Sequence, residues 1–184
     1  MSVTCKRQPE RSTGRASSPG KYLTFQLGAE EYGVEVLQVR EIIGYVSVTP
    51  VPRTPAHIRG VLNRRGQVVP VVDLRTRLGL PTAEPDSETC IIVTELSHGD
   101  KRVTTGMLVD RVCEILTITE DQMESPPELG ALEGDDFILS MAKVGETVRI
   151  LLDVERVLSV RELQGTVEEH RENQGSSEKG DGNE

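Results

Sequence analysis

The chain has 184 residues, enough for one ordinary domain or two small ones, and enough to bury a core without disulfides or metal. A formal net charge of -9 and only five aromatic residues, none of them Trp, argue against nucleic-acid binding by phosphate contact or base stacking. No apolar run approaches the ~20 residues of a membrane span, and the Arg-containing N-terminus lacks a signal-peptide core, so a soluble, cytoplasmic protein without membrane insertion is expected.

In chain order, residues 22–27 read as a strand, 28–31 as a turn and 32–36 as a returning strand. Val36, Val39, Arg40 and Ile43 then fall at helical spacing, so 37–43 is expected to be a short helix or helical corner. Residues 45–51 read as a strand ending at Pro50 and Pro52. Residues 54–58 read as one helical turn, with Thr54 as N-cap and Pro55 at its first position. The plainest hairpin follows, with 59–63 leading in, 67–73 leading out and Arg64-Arg65-Gly66 between them. A type I turn closed by a left-handed Gly66 fits such a loop and puts both arginines at an exposed tip. Pro70 lacks a ladder donor, which places its strand at an edge or a bulge. Asp73 can cap a short helix over 74–78, stopped by Gly79 and Pro81.

Polar residues 82–88 are the expected connection between two lobes. Beyond them, 90–94 reads as a buried strand, 97–100 as a turn, 102–109 as a return and 111–118 as a further strand. A capped turn at 119–122 leads to an acidic loop at 125–136. A last hairpin spans 137–144 and 147–153, and Asp153 caps a terminal helix over 154–158. About ten short strands with turn residues at 8–12-residue spacing and no βαβ rhythm point to an all-β pair of small barrels. No segment repeats plainly in sequence.

The chemistry-bearing residues do not converge. Cys5, Cys90 and Cys113 are odd in number and form no CxxC pair, so no zinc site or disulfide framework is signalled, and Cys90 and Cys113 read as small core hydrophobes. His57, His98 and His170 are scattered, and no local motif supports a Cys-His nucleophile. P-loop, GxSxG, HExxH and dinucleotide fingerprints are absent, and Asp73, Asp110 and Asp153 have capping or turn roles. No catalytic residue, metal or cofactor is expected. Charge is patterned instead. Residues 1–20 carry +3 and 161–184 carry -4, and both read as disordered tails. Six arginines against Asp73 give +5 over 53–77, either a solvated face or a patch for an acidic partner. Glu41-Ile42-Ile43 sets apolar groups beside a charge, as a helix-in-groove contact does. Ile42 lies off the helical stripe and is as easily exposed as core.

Residues 22–43 (YLTFQLGAEEYGVEVLQVREII), 54–80 (TPAHIRGVLNRRGQVVPVVDLRTRLGL), 106–118 (GMLVDRVCEILTI) and 142–158 (AKVGETVRILLDVERVL) resemble the CheW family of chemotaxis coupling proteins. The resemblance implies two packed five-stranded SH3-like β-barrels with short helices at corners and at the C-terminus. It places a CheW-like domain at 21–160, with interleaved lobes of about 35–88 and about 21–34 plus 89–153. It further implies a non-catalytic scaffold, monomeric in isolation, recruited to membrane-associated arrays. Its partners would be the tip of methyl-accepting chemoreceptors and the regulatory domain of the CheA histidine kinase. A related alternative is an adaptor of a non-flagellar pathway controlling pili, surface behaviour or a second messenger. The positions matching the family's receptor contacts are Val36, Val39, Glu41, Ile42, Arg59, Gly60, Asn63, Arg65, Gly66 and Ile115, with Arg65 foremost. Arg64 stands where the family is usually apolar.

Overall fold

The computed structural model describes residues 17–98, 100–126, 137–158 and 163. The chain orders them as β1 (Gly20–Leu27), β2 (Glu30–Glu35), a 3-10 turn (Val36–Gln38), β3 (Val39–Gly44), β4 (Ile58–Arg64), β5 (Gln67–Asp73), α1 (Leu74–Arg77), β6 (Cys90–His98), β7 (Lys101–Val109) and β8 (Arg111–Ile118). A second 3-10 turn (Glu120–Gln122) leads to β9 (Met123–Glu124), then β10 (Ile138–Val144), β11 (Thr147–Leu152) and α2 (Val154–Leu158). One sheet runs β3-β6-β7-β5-β4 and the other β8-β1-β2-β11-β10-β9.

The two sheets share one plan. Each has an edge strand (β3 or β8) beside an antiparallel hairpin (β6–β7 or β1–β2). The hairpin's far strand pairs in parallel with the last strand of a second hairpin (β4–β5 or β10–β11). The second hairpin ends on an aspartate that caps a helix. Asp73 Oδ1 accepts from the backbone N–H of Arg75 and Thr76 at 3.0 and 3.4 Å, and Asp153 Oδ1 accepts from those of Glu155 and Arg156 at 3.0 and 3.3 Å. The remaining edge is closed by a short partner, the Thr49–Val61 bridge in one lobe and β9 on β10 in the other.

Alternation along the strands sorts the core into three layers. Ile91 and Val93 of β6 join Leu62, Val69, Val71 and Leu108 inside the five-stranded lobe. Ile92 and Leu96 point the other way, to a layer shared with Leu23, Phe25, Leu27 and Leu152 of the second lobe. Tyr22, Ile118, Ala142 and Leu151 fill the six-stranded lobe. The shared layer is the largest, so the two lobes are held together mainly by apolar burial.

The chain crosses between lobes twice, through the first 3-10 turn and through the single residue Asp110. Asp110 accepts from Arg75 Nε at 2.7 Å and Nη2 at 2.5 Å, and from the Gly28 backbone N–H at 2.8 Å. Its own N–H donates to the carbonyl of Gln26 at 3.2 Å. One carboxylate thus joins α1 of one lobe to the β1–β2 turn of the other. Arg75 and Gly28 hold it ionised, so its pKa lies below the usual carboxylate range.

Several sequence expectations are corrected. Residues 37–43 are a 3-10 turn and a strand rather than a helix. A bulge between Val39 and Glu41 sets the spacing that mimics a helical stripe, and β6 supplies the ladder. Residues 45–51 form no strand: Thr49 makes a single bridge to Val61, while Tyr45 and Val48 pack on the lobe's core. Residues 54–58 form a turn closed by the Ile58 N–H on the Pro55 carbonyl, and Thr54 Oγ1 donates back to the Val51 carbonyl instead of capping. Residues 82–88 do not join lobes, since β5 and β6 lie in the same sheet. The division near 88 also shifts, because β6 and β7 pair with β3 and β5 and so belong with residues 39–73. Pro70 lies in an interior strand. Val61, opposite it on β4, directs both backbone groups to Thr49, and on its other side the ladder to β7 begins only at Val71, so Pro70 breaks no ladder bond. Leu163, inside the expected acidic tail, is buried in the shared layer. Residues 1–16 and the rest of that tail lie outside the described residues, as do 127–136 of the acidic loop. Among the described residues, no helix is long and apolar enough to cross a membrane.

Candidate interaction surface

The β4–β5 hairpin is tighter than a three-residue loop. Arg64 pairs with Gln67, which leaves Arg65-Gly66 as a two-residue turn with φ of +53° and +79°. Two positive φ values mark a type I′ turn, whose twist matches that of the flanking strands. The Asn63 side-chain oxygen accepts from the Gly66 N–H at 3.1 Å and locks it. Glycine reaches this region freely, whereas an arginine in it costs about 1 kcal/mol. The Arg65 side chain is exposed and forms no ion pair among the described residues.

The tighter turn also moves Arg64. It belongs to β4, two residues from Leu62, and so shares the face that lines the lobe interior. There it grips Glu41 with both arms of its fork, Nε to Oε1 at 3.0 Å and Nη2 to Oε2 at 2.9 Å. Arg64 lowers the pKa of Glu41, first through this hydrogen bonding, with further Coulombic help from Arg65 and Arg40. The pair spans the two edge strands of the sheet, β3 and β4, and helps to close it. The expectation of two arginines at the tip therefore holds for Arg65 alone.

The remaining residues expected at the site divide by position. Val36 and Val39 are half-buried against the shared layer. Arg59 is half-buried, with Nη1 3.7 Å from Asp73 Oδ2. Gly60 is buried at φ +147°, where a Cβ would stand 2.3 Å from the Thr49 carbonyl oxygen, so glycine is required for Thr49 to reach β4. Ile42 is 44% exposed and Ile115 58% exposed, on the edge strands β3 and β8.

These isoleucines occupy matching places in the two lobes. Val39-Arg40-Glu41-Ile42-Ile43 and Val112-Cys113-Glu114-Ile115-Leu116 follow one pattern. In each, the Val packs on the shared layer, a bulge follows, the Ile faces solvent and the last residue enters its own lobe's core. Cys113 is exposed at its bulge, not a core hydrophobe, while Cys90 is half-buried. Partial desolvation, reinforced by Glu31, raises the Cys113 thiol pKa, which disfavours a nucleophilic thiolate. Among the described residues no group of three or more His, Cys, Asp or Glu could hold a metal ion. Sequence reasoning missed Arg149, only 8% exposed, whose signal was a charge in an otherwise apolar strand. It also missed Leu37, 95% exposed at the first crossover.

Residues 21–162 match the CheW-like domain. The chain is 38% identical to the chemotaxis protein CheW of Klebsiella aerogenes over 143 residues, 78% of this chain and 84% of that one. It is 34% identical to CheW of Bacillus subtilis over 155 residues, 84% and 97% of the two chains. The crystal structure of the scaffolding protein TtCheW from Thermoanaerobacter tengcongensis superposes with a TM-score of 0.67 at 31% identity, covering 76% of this chain and 92% of that one.

Proposed function

We infer, from the chain's membership of the CheW-like family, that it is a chemotaxis scaffold coupling methyl-accepting chemoreceptors to a CheA-type histidine kinase, without catalysis of its own. The observation that carries the receptor half is the matched pair of solvent-facing isoleucines on edge strands, with the exposed Arg65 held at the hairpin tip. A helical receptor tip lays apolar side chains on Ile42 and Ile115. Covering the exposed part of each contributes about 1 kcal/mol. Arg65, fixed by a two-residue turn, meets a polar or acidic group with little further loss of entropy. Glu41 is already neutralised by Arg64, so it directs the hairpin rather than seeking a partner charge.

Coupling requires that occupancy of one surface be felt at another, and here both lobes share one core and one Asp110 clip. A scaffold of this kind works in the cytoplasm and joins membrane-associated arrays through its partners, as a monomer when alone. Val36, Val39 and Arg59 shape the surface from beneath, and Gly60, Asn63 and Gly66 set the backbone that presents Arg65. Calorimetric titration with the cognate kinase's regulatory domain, then with a receptor tip fragment, tests the reading. Saturable 1:1 binding to both is expected; a folded protein that binds neither refutes it.

A further inference from the structure

Arg149 lies on β11, two residues from Leu151, and shares the face that lines the six-stranded lobe. A guanidinium that is 8% exposed must be paired to be tolerated there. Its Nε is 2.6 Å from Glu31 Oε2 on β2, its Nη2 is 3.7 Å from Glu114 Oε1 on β8, and its Nη1 donates to Thr147 Oγ1 at 2.8 Å. The two carboxylates differ in what they need. Glu31 sits on a strand paired on both sides, by β1 and β11. Glu114 sits on an edge strand whose ladder to β1 is interrupted at this point. The Thr24 hydroxyl holds the Glu114 backbone across the gap, donating to its carbonyl at 2.9 Å and accepting from its N–H at 3.2 Å. The Glu114 side chain, 57% exposed, reaches Arg149 only as a 3.7 Å ion pair, and the next residue is the exposed Ile115.

We propose that Arg149 is a positioning residue that fixes the bulge of β8 and thereby the direction in which Ile115 faces solvent. The first lobe has a closer counterpart, the Arg64 fork on Glu41, where the glutamate again precedes an exposed isoleucine, Ile42. The proposal builds on the receptor reading above, since that reading makes Ile115 a contact residue, and it adds a residue outside the contact surface.

The test uses the full chain carrying Arg149→Met, Arg149→Lys, Ile115→Ala or the Arg149→Met/Ile115→Ala pair. Two readouts are compared: amide exchange over 111–118 in the partner-free protein, and calorimetric affinity for a soluble receptor fragment ending in its hairpin tip. Arg149→Met should speed exchange in β8 while leaving β3 unchanged, and should weaken the fragment's affinity about fivefold. Arg149→Lys should restore part of both, and Arg149→Met should cost nothing further once Ile115 is alanine. A folded Arg149→Met with unchanged β8 exchange, or an equal loss in the Ile115→Ala background, overturns the proposal. If the unmodified protein does not bind the fragment but Arg149→Met speeds β8 exchange, the positioning role stands and the receptor reading falls. If Arg149→Met does not fold, Glu114→Gln releases the same restraint and leaves Arg149 paired to Glu31. Unchanged β8 exchange in that variant overturns the proposal.

Discussion

Replacing Asp110 by alanine removes three charge-assisted contacts at once, two from Arg75 and one from the Gly28 backbone. Both side chains are well shielded, 18% exposed for Arg75 and 29% for Asp110, so the contacts carry more weight than a surface pair. The loss should be about 2–3 kcal/mol, mostly from leaving Arg75 and the Gly28 N–H without their acceptor. For a domain of this size that corresponds to a fall in Tm of roughly 5–10 °C. Thermal unfolding followed by circular dichroism measures it, and a double-mutant cycle with Arg75→Ala should show about 1–2 kcal/mol of coupling. The pH dependence has a definite sign. The carboxyl's pKa is depressed in the folded state, so its stabilisation is present above the unfolded pKa of about 3.9 and is lost as pH falls through the folded value. The stability gap between wild type and Asp110→Asn should therefore be full at pH 7 and should close below about pH 4. A change under 0.5 kcal/mol in Asp110→Ala, or full additivity with Arg75→Ala, would refute the clip.

Three further substitutions probe other parts of the argument. Arg65→Asn turns the tip into an Asn-Gly pair, which suits a type I′ turn, so stability measured by urea unfolding should rise by about 0.5–1 kcal/mol while receptor-fragment binding weakens; a loss of stability would mean that the turn is misassigned. Gly60→Ala drives a Cβ onto the Thr49 carbonyl and should cost about 3 kcal/mol, with a neutral result excluding the close approach of that segment to β4. Leu163→Ala should cost about 2–4 kcal/mol in chemical denaturation, and a value near zero would remove Leu163 from the shared core.

Features governed by a few neighbouring residues were legible. The hairpin strands, the caps at Asp73 and Asp153 and the left-handed Gly66 follow from turn chemistry and from side-chain oxygens reaching N–H groups two or three residues on. The candidate site was legible mainly through resemblance, and its geometry was not. One residue of turn length decides which face of β4 carries Arg64, and the sequence admits both turns. The expected three-residue loop sent Arg64 to solvent, whereas the two-residue turn sends it to Glu41.

By itself, the sequence determined an all-β chain of short strands, the absence of any recognisable catalytic or metal-binding motif, the position of the arginine-rich hairpin and the places where short helices begin. Tertiary structure alone decided which strands share a lobe, because pairing β3 with β6 joins segments about fifty residues apart, at a loop-closure cost that no local pattern records. It also decided that the lobes are two versions of one plan, which their sequences hardly show. The plan is preserved by the alternation of buried faces and by two capping aspartates, and many apolar residues satisfy that alternation equally well.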